Sequence, residues 1–347
     1  MAKVTIKDIA DELGLSRNTV SKAINGTGIL AESTKQLILR KAVEMGYKTF
    51  IPEERRELPA AGELVMFTAA ALSPSHFSTR MLDEMQQEAS LLGYGFTIYR
   101  VMPQELRECR LPANFDAGRT VGIFCVEMFD MSYSGLICSL GIPTVFIDSC
   151  VGFGEEPLAA DLLLMENRSG IYALVRDMAE KGIRNIGFIG ESRHCLSFYE
   201  RYDAYMGALR MFGLEFTPEW CLDSNSQGLS YPAHGDYLDY LEQKIRSCGT
   251  LPALFICAND FVAMDLLHVF QKLALRVPED ILLSGFDDSP EAGIITPSLT
   301  TIRIHSRDMG KEAVQLLFSR IKDPGRKFRT VYVQTDLVYR ASTGIPG

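Results

Sequence analysis

Residues 4–47 read VTIKDIADELGLSRNTVSKAINGTGILAESTKQLILRKAVEMGY. Thr5 followed three positions later by Asp8 resembles a capping box, and Ile6, Ile9, Ala10 and Leu13 then repeat at helical spacing. The pattern predicts one helix from about Ile6 to Leu13. Gly14 supplies the permissive backbone of a sharp turn, and Ser16 is a good N-cap for a second helix that buries Val20, Ala23 and Ile24. A third helix is expected to start near Ser33 or Thr34, to bury Ile38, Ala42 and Met45, and to stop at Gly46. The spacing is that of a helix-turn-helix. The outward face of the second helix then carries Arg17, Asn18, Ser21 and Lys22, side chains able to read base edges or hold phosphate in a major groove. A helical module that binds only protein is the alternative reading of the same pattern.

The blocks Val4 to Ala10, Gly14-Leu15-Ser16 and Thr19 to Asn25, continuous without a gap to Gly46-Tyr47, resemble the LacI/GalR transcriptional repressors. The resemblance implies that Arg17 and Asn18, together with Lys22, select bases. Arg favours a bidentate contact to guanine and Asn one to adenine. Thr5, Ser16, Thr19, Ser21, Asn25 and Thr34 match polar positions that mostly hold phosphates, and such contacts position a protein without specifying sequence.

Composition agrees with a basic head on an acidic body. The 347 residues are 47% hydrophobic, enough for two or three domains with real cores, and the net charge is -9. Residues 1–48 hold eight basic and five acidic side chains, net +3, which leaves -12 for the rest. Phosphate attracts the one and repels the other. With no signal segment and no apolar run long enough for a bilayer, the chain is expected to be cytoplasmic, with no membrane partner. Eight cysteines without a C-x-x-C pair read as buried free thiols, and five scattered histidines offer no metal site. Phosphate-cradling loops, nucleophile elbows and H-E-x-x-H are missing from the sequence, so neither enzyme activity nor a cofactor is expected.

Residues 49–62, TFIPEERRELPAAG, change to a proline-containing charged linker. In the resembled family this segment often becomes a hinge helix whose leucine wedges into the minor groove, and Arg56-Glu57-Leu58 echoes the end of its pattern without the usual Asn and Ala, which makes Leu58 the candidate wedge. Here Pro52 comes late, and Glu53, Glu54 and Glu57 oppose phosphate. A solvated linker without a hinge helix is the competing expectation.

Beyond Gly62, short apolar runs such as Leu64 to Phe67, Val121 to Val126, Ile186 to Ile189 and Ala253 to Cys257 alternate with amphipathic stretches. This implies a doubly wound α/β body. Several segments, among them Gly141 to Asp148, Asn167 to Gly170, Gly285 to Asp288 and Pro297 to Arg303, resemble the family's effector-binding body, two α/β subdomains like those of periplasmic binding proteins. The expected division is 1–48 for the head, 49–62 for the linker and 63–347 for the body. Within the body, subdomain one takes 63–160 and 292–322, and subdomain two takes 161–291 and 323–347. Carried over from matching positions, Phe77, Asp148, Arg201, Tyr231, Asn259 and Asp287 line the cleft between them. Carboxylates, an amide, a guanidinium and aromatic walls suit a sugar, and a purine is the alternative ligand. The function expected is a homodimeric repressor that binds a palindromic operator and is controlled by such a small-molecule effector. A regulator answering to a protein partner, and a sugar-binding protein with an unused head, are the rival readings.

Overall fold

The computed structural model describes residues 4–25, 30–45, 47, 62–69, 76–152, 156–222 and 234–344 of the 347. Three helices come first: α1 (Ile6–Leu13), α2 (Arg17–Asn25) and α3 (Glu32–Glu44). Thr5 caps α1, since its backbone N–H donates to Asp8 Oδ2 at 2.8 Å while its hydroxyl oxygen accepts from Asp8 N–H at 3.4 Å. The turn into α2 runs through Gly14, whose φ of 63° is a left-handed conformation costly for other residues. Ser16 Oγ accepts from Thr19 N–H at 3.0 Å and so caps α2. Ile9, Ala10, Val20, Ala23, Ile38 and Ala42 close a small core, with Ile24 and Met45 packed at its edge. Because Thr5 is exposed and touches little besides Asp8, Thr5→Ala is expected to cost about 1 kcal/mol through the lost cap. Circular dichroism of thermal unfolding checks this, and an unchanged transition of the helical head would contradict it.

The body alternates strands and helices: β1 (Glu63–Thr68), α4 (His76–Leu91), β2 (Gly95–Arg100), α5 (Pro103–Glu108), β3 (Thr120–Val126), α6 (Met131–Ser139), β4 (Thr144–Ile147) and β5 (Asp161–Met165). There follow α7 (Ser169–Glu180), β6 (Ile186–Ile189), α8 (Leu196–Met211), β7 (Cys221–Leu222), α9 (His234–Ser247), β8 (Leu254–Cys257), α10 (Asp260–Lys272) and β9 (Leu282–Ser284). The chain ends with α11 (Pro290–Ile294), β10 (Thr301–Ile304), α12 (Ser306–Lys322), β11 (Thr330–Val333) and β12 (Thr335–Val338).

Two parallel sheets result, in the orders β11-β5-β4-β3-β1-β2 and β7-β6-β8-β9, with β10 and β12 paired antiparallel. Alternate residues of one strand enter different cores, as a sheet covered on both faces requires. In β1, Leu64 and Met66 pack toward α4 and α12, while Val65 and Phe67 pack toward Tyr133 and Ile137 of α6. Close approach of α12 to α4 depends on Gly310, where a Cβ would sit 2.6 Å from the Met81 carbonyl oxygen.

Strand pairing carries the first sheet past both expected subdomain boundaries. β5 joins β4 and β11 joins β5, so residues 161–165 and 330–333 belong with the first subdomain rather than the second. A buried ion pair fixes this arrangement. Arg320 of α12 grips Asp161 with two bonds of 2.9 and 3.0 Å, and both side chains are almost fully enclosed. Arg320 therefore stands on the inward face of α12 because it is neutralised there. The chain changes sheet after β5, after β9, after β10 and after β11.

Candidate functional site

The head offers one polar face. Arg17, Asn18 and Lys22 are exposed and Ser21 half-buried, opposite the buried Val20 and Ala23. One turn separates Arg17 from Ser21 and Asn18 from Lys22, so helical geometry sets the four side by side. The expected phosphate contacts have local duties as well: Thr5 caps α1, and the Ser16 and Thr19 hydroxyls lie 2.8 Å apart at the start of α2. Thr34 is half-buried in the first turns of α3. The side chain of Asn25 and all of Leu58 lie outside the described residues.

In the body, three of the expected residues converge where strands end. Arg201 of α8 is 2% exposed. Its Nε donates to Asn167 Oδ1 at 2.9 Å, its Nη1 donates to the Ala258 carbonyl at 2.7 Å, and Nη1 lies 3.5 Å from Asp287 Oδ1. The guanidinium carbon stacks 3.5 Å from the Phe286 ring. Asp287 follows β9 with a φ of 113°, and its neighbour Asp288, also at positive φ, is clamped by Arg303 at 2.6 Å and Arg340 at 2.5 Å. Such backbone is uncommon for non-glycine residues and collects at functional loops.

Asp148 behaves differently from a simple cleft-lining acid. It follows β4 of the first sheet, yet its Oδ1 accepts from Ser197 N–H at 3.1 Å as well as from Ser149 N–H at 2.7 Å. Ser197 begins α8, which packs on the second sheet. Leu196 N–H reaches the Ser149 carbonyl at 2.8 Å, so the end of β4 caps α8 from the opposite subdomain. Phe129 after β3, His194 after β6 and Phe198 of α8 form a ring chain with centroids 5.0 and 5.2 Å apart, which also spans the two halves. Asn259 is a cap too, its Oδ1 accepting from Val262 N–H at 2.9 Å at the start of α10. Phe77 begins within α4, but its side chain and the whole of Tyr231 lie outside the described residues.

A three-helix head joined to two parallel sheets is matched by known proteins. The sequence model of bacterial regulatory proteins of the lacI family fits residues 5–49, and that of the periplasmic binding protein-like domain fits residues 175–343. The chain belongs to the lacI family of bacterial regulatory proteins. Among lacI-family relatives, the HTH-type transcriptional repressor PurR of Pasteurella multocida is 25% identical over 343 residues, spanning 97% of this chain and 98% of the relative. PurR of Vibrio campbellii is 26% identical over 341 residues, with 97% of each chain covered. Among solved structures, a transcriptional regulator CelR–cellobiose complex aligns with a TM-score of 0.68 at 20% identity, over 98% of this chain and 100% of that one. The lac repressor dimer bound to operator and the anti-inducer ONPF aligns with a TM-score of 0.63 at 18% identity, over 99% of each chain. These structures share the fold of this lacI-family chain.

Four contributors to the junction escape the sequence reading: Asn167, Phe198, Glu200 and Phe286. Asn167 and Phe286 lie inside segments that resemble the family, and their neighbours Arg168 and Asp287 carry the more obvious charge. Only the fold shows that Asn167 and Phe286 meet Arg201 from two sides.

Burial raises the Asp287 carboxyl above the usual carboxylate range against the pull of Arg201, and Glu127 and Asp148 raise it further. Asp260, wholly buried, is raised by burial first and by the charge of Asp287 second. From about pH 4 up to those raised values, the folded chain keeps protons that the unfolded chain has released. The stabilisation is complete below about pH 4 and is lost as pH rises through the raised values. Asp287→Asn is therefore expected to reduce the fall in urea midpoint between about pH 5 and pH 8. An identical fall in wild type and variant would contradict the assignment.

Proposed function

We propose that this chain is a one-component transcriptional repressor, a cytoplasmic homodimer whose two heads meet the half-sites of a palindromic operator. The observation that carries the reading is the outward row of exposed Arg17, Asn18 and Lys22 with half-buried Ser21 on α2, on a head that is basic while the body is acidic. Arg17 and Asn18 read bases. Lys22 joins them in selecting bases, Thr5, Ser16, Thr19, Ser21, Asn25 and Thr34 hold the backbone, and Leu58 enters the minor groove. The division into head, linker and two-part body follows, with the first subdomain extended to include β5 and β11.

An effector in the cleft changes the angle between the sheets and with it the spacing of the heads. Arg201 and Asp287 supply a donor and an acceptor side by side, and Asp148 ties closure of the cleft to α8. With Phe77 and Tyr231 as walls, the composition favours a sugar. A purine is the second reading, favoured by the several relatives named PurR.

Thermal unfolding against a panel of sugars, sugar phosphates and purines tests the effector. A ligand at about a hundred times its dissociation constant adds roughly 2.7 kcal/mol, which moves the midpoint by several degrees. A shift with one sugar supports the first reading and a shift with one purine the second. No shift with any compound would overturn small-molecule control.

A further inference from the structure

We infer that Asn167, Glu200 and Tyr332 form a relay that positions the ligand-facing guanidinium of Arg201, an inference that rests on the reading of the cleft as the effector site. Asn167 is 1% exposed and Glu200 4%, so neither has water to satisfy it. Asn167 turns its oxygen toward Arg201 Nε at 2.9 Å. An amide has two chemically opposite ends, and something must fix which end faces the arginine. Glu200 does so. Its Oε2 accepts from Asn167 Nδ2 at 2.8 Å, and a carboxylate accepts but never donates. The second, longer contact of Nδ2, to Ser197 Oγ at 3.4 Å, leaves direction open because a hydroxyl does both.

Glu200 is itself held at its other oxygen. Oε1 accepts from the Tyr332 hydroxyl at 2.7 Å and lies 3.6 Å from Arg168 Nη2. Burial, and then the bond to Glu200, push the Tyr332 phenol up, so it remains a donor throughout the neutral range.

The relay also joins the two halves of the body. Tyr332 belongs to β11 at the edge of the first sheet, Glu200 and Arg201 to α8 against the second, and Asn167 to the crossover from β5 to α7. Rotation of one sheet against the other pulls on the bond from Tyr332 to Glu200. That pull reaches Arg201 through one amide. The cleft thus senses the angle between subdomains through a chain of hydrogen bonds as well as through direct closure on a ligand.

The test reads Arg201 without needing a ligand. In protein labelled with nitrogen-15, the Arg201 Nε–H signal is assigned by its loss in Arg201→Lys, and its exchange with solvent is measured. Glu200→Leu removes both acceptors at similar size, Glu200→Gln keeps an oxygen for Asn167, and Tyr332→Phe removes one hydroxyl at the half-exposed end. Exchange is expected to quicken about tenfold in Glu200→Leu, the scale of one lost hydrogen bond, less in Tyr332→Phe, and to return toward wild type in Glu200→Gln. Where Glu200→Leu fails to fold, Tyr332→Phe decides alone. Unchanged exchange in Tyr332→Phe and in any folded Glu200→Leu overturns the relay.

Binding of cellobiose, D-ribose and hypoxanthine is measured in parallel, with a loss of about tenfold expected in Glu200→Leu for whichever probe the wild type binds. Quickened exchange with none of the three bound by wild type supports the positioning chain and counts against the effector reading.

Discussion

Arg201→Ala is expected to destabilise the body by about 3–5 kcal/mol and to abolish any midpoint shift caused by a cleft ligand. The large figure follows from what the arginine leaves behind. Asn167 Oδ1 and the Ala258 carbonyl lose their donor, and Asp287, 3.5 Å away, loses its counter-charge. Orphaned buried acceptors cost more than the net worth of the bonds they had. Asp287 can relieve its own share by taking a proton, since burial already raises it. The loss should therefore be larger at about pH 8 than at about pH 5. Urea unfolding of Arg201→Ala, Asp287→Asn and the double variant gives the comparison. Pairing Arg201→Ala with Asp287→Asn should recover part of the loss, because the unpaired charge is gone. A full loss in the double variant would mean that the unpaired Asp287 charge adds nothing, and that the loss comes from the orphaned Asn167 and Ala258 acceptors and the lost packing on Phe286.

Arg17→Ala is expected to weaken binding to the preferred duplex by roughly five-fold to over a hundred-fold, the 1–3 kcal/mol of one good bidentate base contact. The fold should be untouched, since Arg17 is exposed and outside the head core. A base reader and a phosphate anchor differ in what else they change. Arg17→Ala should relax discrimination at one base pair, whereas Lys22→Ala, if Lys22 mainly holds phosphate, should weaken all duplexes alike and lower the salt dependence. Titration of the preferred duplex and its single-base substitutions separates the two. Equal losses on every duplex in Arg17→Ala would remove it from the base readers.

The head was legible because its signals are local. The cap pair three residues apart, the glycine at a left-handed turn and the apolar residues at helical spacing each act over a few residues of sequence, and Thr5, Gly14 and Ser16 do what that spacing implies. The third helix begins at Glu32, slightly ahead of the expected Ser33 or Thr34. Apart from β5 (Asp161–Met165), β7, β10 and β12, which were not picked out, the strands were legible for the same reason, as short apolar runs. Their order was not. Nothing in the residues around Asp161 announces a partner at Arg320, and that pair helps place β5 and β11 in the first sheet.

The junction shows the same limit more sharply. Charged residues after strands mark Asp148 and Asp287 as candidates, but the role of Asp148 in capping α8 depends on the approach of a helix from the other subdomain. Asn259 reads equally well as ligand contact or cap, and its oxygen serves as a cap. Glu200 looks like an ordinary helix-face acid until the fold buries it between Asn167 and Tyr332.

Selection of duplexes from a random pool, followed by titration of the enriched sequence against salt, tests the DNA-binding claim most directly. The expected result is a palindrome with half-sites spaced by whole helical turns, and an affinity that falls about a thousandfold between roughly 50 and 200 mM salt. A pool without enrichment, or an affinity indifferent to salt, would contradict a DNA-reading role for the head.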